Sequence, residues 1–179
     1  MTQASIHDLD LELATFLGQR RNILELSSVI RNAGLFKGVS GDDLKRISTM
    51  STLKKCAKGD VLFSQNTKGS EVFVVVSGCV AINKNVAGGR KRNLDNLRSG
   101  EVFGEISLFD EEPRSAEAEA MEDSEVMVIP NASFLALLSE NVALSNIIIK
   151  NVVGILCRRL RKTDDLLNEG VIWGFRMES

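Results

Sequence analysis

The stretch Gly100-Glu101-Val102-Phe103-Gly104-Glu105-Ile106-Ser107-Leu108-Phe109-Asp110-Glu111-Glu112-Pro113-Arg114-Ser115-Ala116 distinguishes this chain from a generic globular domain. Its pattern predicts a strand end, a glycine turn, one short helix beginning near Gly104, an acidic loop, and a strand that opens on Arg114. The first amides of a helix have no partners within it and lie at the positive end of its dipole. The turn therefore predicts a site for an anion.

The residue types around this turn specify the anion further. Arg114 carries a rigid fork of donors that suits a phosphate in two-point contact, and Ser115 adds a hydroxyl donor. Glu105 cannot serve a phosphate, so its carboxylate is predicted to accept hydrogen bonds from a sugar hydroxyl on the same ligand. A phosphate with a nearby hydroxyl indicates a nucleotide. The candidate ligand-binding residues are Gly104, Glu105, Ile106, Ser107, Arg114 and Ser115.

At these residues the sequence resembles a known family. Phe-Gly-Glu-Ile-Ser-Leu at 103–108, followed by Pro-Arg-Ser-Ala at 113–116, is similar to the phosphate-binding cassette of cyclic nucleotide-binding domains. Such domains occur in the catabolite activator family, in protein kinase regulatory subunits and in gated ion channels. The resemblance implies that Glu105 holds the ribose 2′-hydroxyl and that Arg114 neutralises the cyclic phosphate. It extends over roughly residues 35–167.

The segment between Thr52 and Ile129 alternates with a period of two and is divided by glycine turns. The predicted strands are 52–57, 60–64, 71–77, 79–85, 92–97, 114–120 and 124–129. Short strands at this spacing predict a sandwich or barrel. The phrases at 58–63 and 72–80 resemble the paired roll strands of the family, which implies a mainly β fold: an antiparallel double-stranded β-roll with N-terminal helices and a long C-terminal helix.

Helices are predicted on both sides of the roll. Apolar residues at three- and four-residue steps predict one or two helices over 5–32, and Ser40 is a good N-cap for a helix that continues to about Met50. Another helix is predicted from Asn131 to about Ser139. The predicted organisation is an N-terminal helical segment at 1–34, the cyclic nucleotide-binding roll at 35–141, and a C-terminal helix with a tail at 142–179.

The C-terminal helix is predicted to run from about Val142 to Asn168. Apolar or small residues recur along it at the spacing of a coiled-coil seam: Ile149, Val153, Leu156, Leu160, Thr163 and Leu167. About 27 residues span about 40 Å at 1.5 Å per residue, which favours a homodimer through this helix. In the activator family this position is the dimer helix, which implies that Thr163 or a neighbour reaches the base. The tail around Trp173 is predicted to pack against the helices.

Two basic runs, at 90–92 and 158–162, are predicted to be solvated surface, the second with partners such as Asp165 for Arg161. A net charge of −2 gives no basis for binding nucleic acid. No apolar run approaches the roughly 20 residues of a membrane span, and a cytoplasmic protein is expected.

The sequence offers little material for catalysis. His7 is the sole histidine, and the three cysteines are far apart, so buried reduced thiols are predicted in preference to a disulfide or a zinc site. No nucleophile motif can be assembled, and a hydrolase for cyclic nucleotides is disfavoured by the lack of metal ligands. No cofactor and no enzymatic activity are expected.

Two functions follow. The first is a free-standing cyclic nucleotide sensor without a DNA-binding domain, which takes cyclic AMP in preference to cyclic GMP and signals to a protein partner through helix repacking. The alternative is a degenerate, ligand-free roll that serves as a protein–protein interaction module. Its support is the excess of acids over the single base Arg114 between 101 and 125: Glu101, Glu105, Asp110, Glu111, Glu112, Glu117, Glu119, Glu122, Asp123 and Glu125.

Overall fold

The computed structural model describes residues 29–86, 89–110 and 112–176, with side chains as far as Asp164. Residues 29–32 are helical and are followed by a 3-10 helix at Gly34–Phe36. The helices predicted over 5–28 and the side chain of His7 lie outside the described residues.

Eight strands form the β-roll. They are β1 Thr52–Cys56, β2 Val61–Phe63, β3 Glu71–Ser77, β4 Val80–Val86, β5 Arg90–Leu97, β6 Val102–Phe103, β7 Glu117–Ala120 and β8 Ser124–Pro130. All the predicted strands exist, and β6 is added at the strand end that the sequence indicated. The seventh starts at Glu117. The prediction of a strand opening on Arg114 is therefore wrong.

The strands are antiparallel and form two four-stranded sheets, in the orders β1-β8-β3-β6 and β2-β7-β4-β5. Strand β3 is apolar without a break from Val72 to Val75 because both of its faces are covered. Val72 and Val74 pack toward the helices, whereas Phe73 and Val75 pack inside the roll. The predicted fold class, a double-stranded antiparallel β-roll with a long C-terminal helix, is confirmed.

Besides residues 29–32, the described part of the chain has three α-helices, which cover the outer face of the first sheet. They are α1 Gly41–Met50, α2 Asn131–Glu140 and α3 Val142–Arg176. As predicted, Ser40 caps α1: its Oγ accepts from the backbone amide of Asp43 at 3.1 Å. The end predicted near Asn168 is wrong, because α3 continues through the stretch expected to form a separate tail.

Helix α3 has two different faces. Leu144, Ile148, Val152 and Ile155 are buried against the helices and the first sheet. The other face exposes Ile149, Val153 and Leu160, with 45%, 53% and 63% of their surface accessible. Leu156 is partly buried against the core and belongs only in part to the predicted seam. Much of that seam is thus left uncovered in the single chain.

Cys56 and Cys79 are buried free thiols, as predicted, and burial raises the pKa of Cys56. Cys157 is exposed because it lies on the solvent side of α3, so the prediction of burial is wrong for this thiol. In the described part of the chain, no helix is both long and apolar enough to cross a membrane, and no group of side chains is arranged to hold a metal ion.

Candidate functional site

The chain turns sharply where β6 ends. Gly104 has a φ of +76°, and a Cβ there would lie 2.6 Å from Nη1 of Arg114, so both backbone geometry and space require glycine. The helix predicted to begin near Gly104 is a single 3-10 turn at Ile106–Leu108. A turn of this length has little dipole, and the anion-binding potential of the site depends on side chains more than on helix amides.

Arg114 is the charged centre of this turn, and only 4% of its surface is exposed. Its Nη1 donates to the carbonyl of Gly104 at 3.0 Å and to Oγ of Ser107 at 2.7 Å. Its Nη2 donates to the carbonyl of Glu71 at 2.7 Å. Burial lowers the pKa of Arg114 below its usual value, against the opposing effect of the Glu71 and Glu105 carboxylates. The guanidinium nevertheless keeps its charge.

The backbone of Arg114 is held by the loop that connects β2 to β3. Its amide donates to the carbonyl of Thr67 at 2.8 Å, and its carbonyl accepts from the amide of Asn66 at 2.9 Å. These bonds continue the pairing of β7 with β2 beyond the sheet itself. They explain why the sequence around Arg114 resembles a strand although the strand begins three residues later.

Three phenylalanines form a cluster beside the guanidinium, which lies over the rings of Phe63 and Phe73. Phe73 and Phe103 are stacked with ring centroids 5.0 Å apart, and Phe63 is 5.6 Å from the first and 6.0 Å from the second. Cζ of Arg114 lies 4.2 Å from the centroid of Phe63. Phe63 was not among the residues that the sequence indicated for the site.

Glu105 is fully buried and is held by the C-terminal helix. Its Oε1 accepts from Nη1 of Arg159, and Nη2 of Arg159 donates to the carbonyl of Val102. The prediction that residues 158–162 are simply solvated is therefore wrong at Arg159, and also at Lys162, which pairs with Asp95.

The sequence did contain a signal for Arg159. The buried positions of α3 recur at steps of four and three residues, at Leu144, Ile148, Val152 and Ile155. One further step of four reaches Arg159, so the helical period places this arginine on the face that meets the roll. The signal was missed because the surrounding run of basic residues resembles a solvated surface.

All the candidate ligand-binding residues surround one cavity, which encloses about 440 Å³ of empty space including its open mouth. Within it, Ser107 is half-buried, while Ile106 and Ser115 are exposed. The cavity is lined by Phe63, Ile82, Phe103, Gly104, Glu105, Ile106, Ser107, Asp110, Glu112, Pro113, Arg114, Ser115, Ala116 and Arg159.

Two of the acidic side chains near the cavity are paired with a lysine. Nζ of Lys91 lies 2.6 Å from Oε1 of the buried Glu117 and 3.1 Å from Oε2 of Glu119. Hydrogen bonds to these two carboxylates raise the pKa of Lys91. Lys91, predicted to be part of a solvated turn, thus neutralises charge on β7, whereas Asp110 and Glu112 are exposed at the cavity.

The domain is thus a β-roll of two antiparallel sheets that holds a buried arginine and a buried glutamate in one cavity. Residues 53–141 match the cyclic nucleotide-binding domain family. This part of the chain is a cyclic nucleotide-binding domain.

Known proteins similar to the chain include regulators. The cyclic AMP receptor protein of Thermus thermophilus is 32% identical over 142 residues, which cover 78% of this chain and 64% of that protein. The cAMP-dependent protein kinase regulatory subunit of Mycosarcoma maydis is 30% identical over 114 residues, covering 62% of this chain and 21% of that protein. The crystal structure of the Thermus thermophilus catabolite activator protein superposes with a TM-score of 0.66 at 32% identity, covering 76% of this chain and 62% of that one. The chain thus spans less than two thirds of these relatives.

Proposed function

We propose that the cavity binds a cyclic nucleotide, with cyclic AMP favoured, and that the chain is a regulatory sensor. The supporting observation is a pair of buried, opposite charges in one cavity, each with spare hydrogen-bonding capacity. Nε of Arg114 and Oε2 of Glu105 are buried and have no hydrogen-bond partner among the residues that the structure describes. Buried polar groups are rarely left unpaired, so a ligand with an anionic group and a hydroxyl would complement both.

Each residue then has a distinct role. Arg114 neutralises the cyclic phosphate, and the Ser115 hydroxyl and the amides that follow Gly104 add donors at the open side of the cavity. Glu105 accepts from the ribose 2′-hydroxyl. The preference for cyclic AMP rests on the relatives, since two of them are named for that nucleotide.

The proposed signal passes through Arg159. This residue joins α3 to Glu105, the carboxylate that the ribose would use. A ligand that engages Glu105 therefore changes the contact that holds α3 against the cassette. The ligand shifts the equilibrium between two arrangements of α3 only as far as its affinities for them differ. The coupling is reciprocal, so a change in the position of α3 alters the affinity for the ligand by the same factor.

We further propose that α3 pairs with the same helix of a second copy. The exposed side chains of Ile149, Val153 and Leu160 follow one another at the steps of a coiled-coil seam, and all lie on the face away from the roll. Burying them against their equivalents would remove apolar surface from water. Ligand-dependent movement of α3 would then alter the geometry of the dimer.

One observation favours the second candidate, a ligand-free interaction module. Arg114 already donates three hydrogen bonds within the protein, to Gly104, Ser107 and Glu71. An arginine used in this way stabilises the turn even if no nucleotide binds. The module hypothesis therefore predicts that Arg114 contributes to stability and that no cyclic nucleotide binds with measurable affinity.

Calorimetric titration separates the two. Cyclic AMP, cyclic GMP and 5′-AMP, the open-ring control, are titrated into the wild type, Arg114→Lys and the control Arg46→Ala, which removes an exposed ion pair with Glu140. We expect saturable heat for cyclic AMP in the wild type and in Arg46→Ala, and strongly weakened binding in Arg114→Lys, because lysine cannot make a planar two-point contact. Absence of heat with either cyclic nucleotide in a folded wild type would favour the interaction module.

A further inference from the structure

Phe63 presents the face of its ring to Arg114, the proposed phosphate-binding residue. It is the last residue of β2, it is partly buried, and it lines the cavity. Cζ of Arg114 lies 4.2 Å from the centroid of its ring, compared with 5.8 Å for Phe73. Arg114 is thus within cation–π distance of two rings, and much closer to Phe63.

This contact matters because Arg114 is almost entirely removed from water. Its hydrogen bonds use the N–H groups at the edge of the planar guanidinium. Such bonds cannot use the flat faces of the group. An aromatic ring presents negative electrostatic potential at its face, so Phe63 supplies attraction where no donor or acceptor operates.

The ring itself is held in place. Phe63 contacts the guanidinium and also packs against the stacked pair of Phe73 and Phe103, which belong to the interior of the roll. A leucine would fill part of the same space but would offer no negative face. Phe63 therefore combines a core contact with an electrostatic one, and the two can be separated experimentally.

We propose that Phe63 is a positioning residue for the ligand phosphate, and that it acts by holding the Arg114 guanidinium in the cavity before the ligand arrives. This inference rests on the proposed binding of a cyclic nucleotide. Preorganisation of a charged group reduces the free energy that binding would otherwise spend on ordering and desolvating it. The aromatic face is thus predicted to set affinity for the anionic part of the ligand.

The test varies the electrostatics of the ring with little change in its shape. Phe63 is replaced by 4-fluoro-, 3,4,5-trifluoro- and pentafluorophenylalanine, and in separate variants by Leu and Tyr. Cyclic AMP affinity is measured by calorimetry. We expect affinity to fall stepwise with fluorination, to be about tenfold weaker in Phe63→Leu, and to stay within about twofold of wild type in Phe63→Tyr, which keeps the aromatic face. Pentafluorophenylalanine at Phe73 is the matched control and should have a smaller effect.

A second readout does not require ligand. The Nε–H resonance of Arg114 is shifted by the ring current of an aromatic group above it, and we expect this shift to be lost in Phe63→Leu. If the wild type binds cyclic AMP and all the fluorinated variants bind it with the same affinity, the proposed role of Phe63 is overturned, while the proposed function stands. A wild type that binds no cyclic nucleotide would overturn the proposed function, and the role of Phe63 with it.

Discussion

The two buried charges of the cavity are stabilised in different ways. Arg114 is held by groups that belong to the roll: the carbonyls of Gly104 and Glu71, the Ser107 hydroxyl, and the ring of Phe63. Glu105 is held by Arg159, which lies 54 residues further along the chain in α3. One end of the cavity is therefore complete within the roll, while the other depends on a separate helix.

Under the proposed function, this difference would give the two ends different tasks. The Arg114 end resembles a fixed anchor, because its contacts can persist wherever α3 lies. The Glu105 end depends on a contact made by α3, so under the proposed function it is the end that would transmit a binding event. A ligand would shift the position of α3 only if it bound the two arrangements with different affinities.

The largest expected effect is at the fixed end. Arg114→Ala should weaken cyclic AMP binding about 30-fold or more, because truncating a buried, hydrogen-bonded charge costs about 2–5 kcal/mol. It should also lower the free energy of unfolding by about 1–3 kcal/mol, since the polar groups of Gly104, Ser107 and Glu71 lose a partner. Calorimetry and urea denaturation measure the two effects. Binding that survives in Arg114→Ala would contradict the assignment of the anchor.

Substitutions at the Glu105 end should mainly change the free energy of unfolding. Arg159→Met leaves Glu105 buried without its partner, and we expect a loss of about 2 kcal/mol in the free energy of unfolding. The double variant with Glu105→Gln should recover part of that loss, because the amide carries no charge. Arg161→Ala, on the exposed side of the same helix, is the control. Independent, additive effects of the two changes would show that Arg159 and Glu105 do not act as a pair.

A smaller effect is expected on the outer face of α3. Leu160→Glu should weaken self-association roughly tenfold or more, because an unpaired charge would enter an apolar seam. The stability of the isolated chain should hardly change, since Leu160 is 63% exposed. Analytical ultracentrifugation gives the association constant, and Leu135→Glu on α2, with Leu135 42% exposed, is the matched control. If both variants and the wild type have the same association constant, the proposed pairing of α3 with a second copy is contradicted.

The smallest effect concerns Lys91, which pairs with carboxylates on β7. The pKa of Lys91 is raised in the folded state by hydrogen bonds to Glu117 and Glu119. The ion pair therefore contributes fully to stability below the pKa of the unfolded chain, about 10.4, and this contribution is lost as the pH rises through the pKa of the folded state. Lys91→Gln should lower the Tm by about 1–2 °C at pH 7. The difference from wild type should shrink above about pH 10.4, and a difference that grows instead would contradict the ion pair.

The anchor could be predicted from the sequence, whereas the Glu105 end could be predicted only in part. Gly104, Ser107 and Arg114 of the anchor lie within one short stretch, where glycine geometry and donor chemistry are local properties. Glu105, the carboxylate of the other end, lies in the same stretch, but its partner Arg159 does not. The predicted strands rested on local alternation and match the observed strands to within one or two residues at each end, except at Arg114. The backbone of Arg114 pairs with Asn66 and Thr67 and so resembles a strand without belonging to the sheet.

Long-range contacts were missed for a physical reason. Arg159 and Phe63 reach the cavity from elements remote in sequence, so only the folded topology brings them to Glu105 and Arg114. The helical period of α3 predicts which side of the helix faces the roll, but not which carboxylate it meets. A basic run within an amphipathic helix should therefore be examined for the residue that continues its buried stripe.

The most direct test of the two-ended site compares cyclic AMP with 2′-deoxy cyclic AMP in the wild type and in Glu105→Gln, by calorimetric titration. We expect saturable binding of cyclic AMP and at least roughly tenfold weaker binding of the deoxy analogue to the wild type, because its buried carboxylate would lack the hydroxyl donor. Glu105→Gln should discriminate less between the two ligands. Equal affinities of the wild type for both nucleotides, or no binding of either, would contradict a site in which Arg114 takes the phosphate and Glu105 takes the ribose.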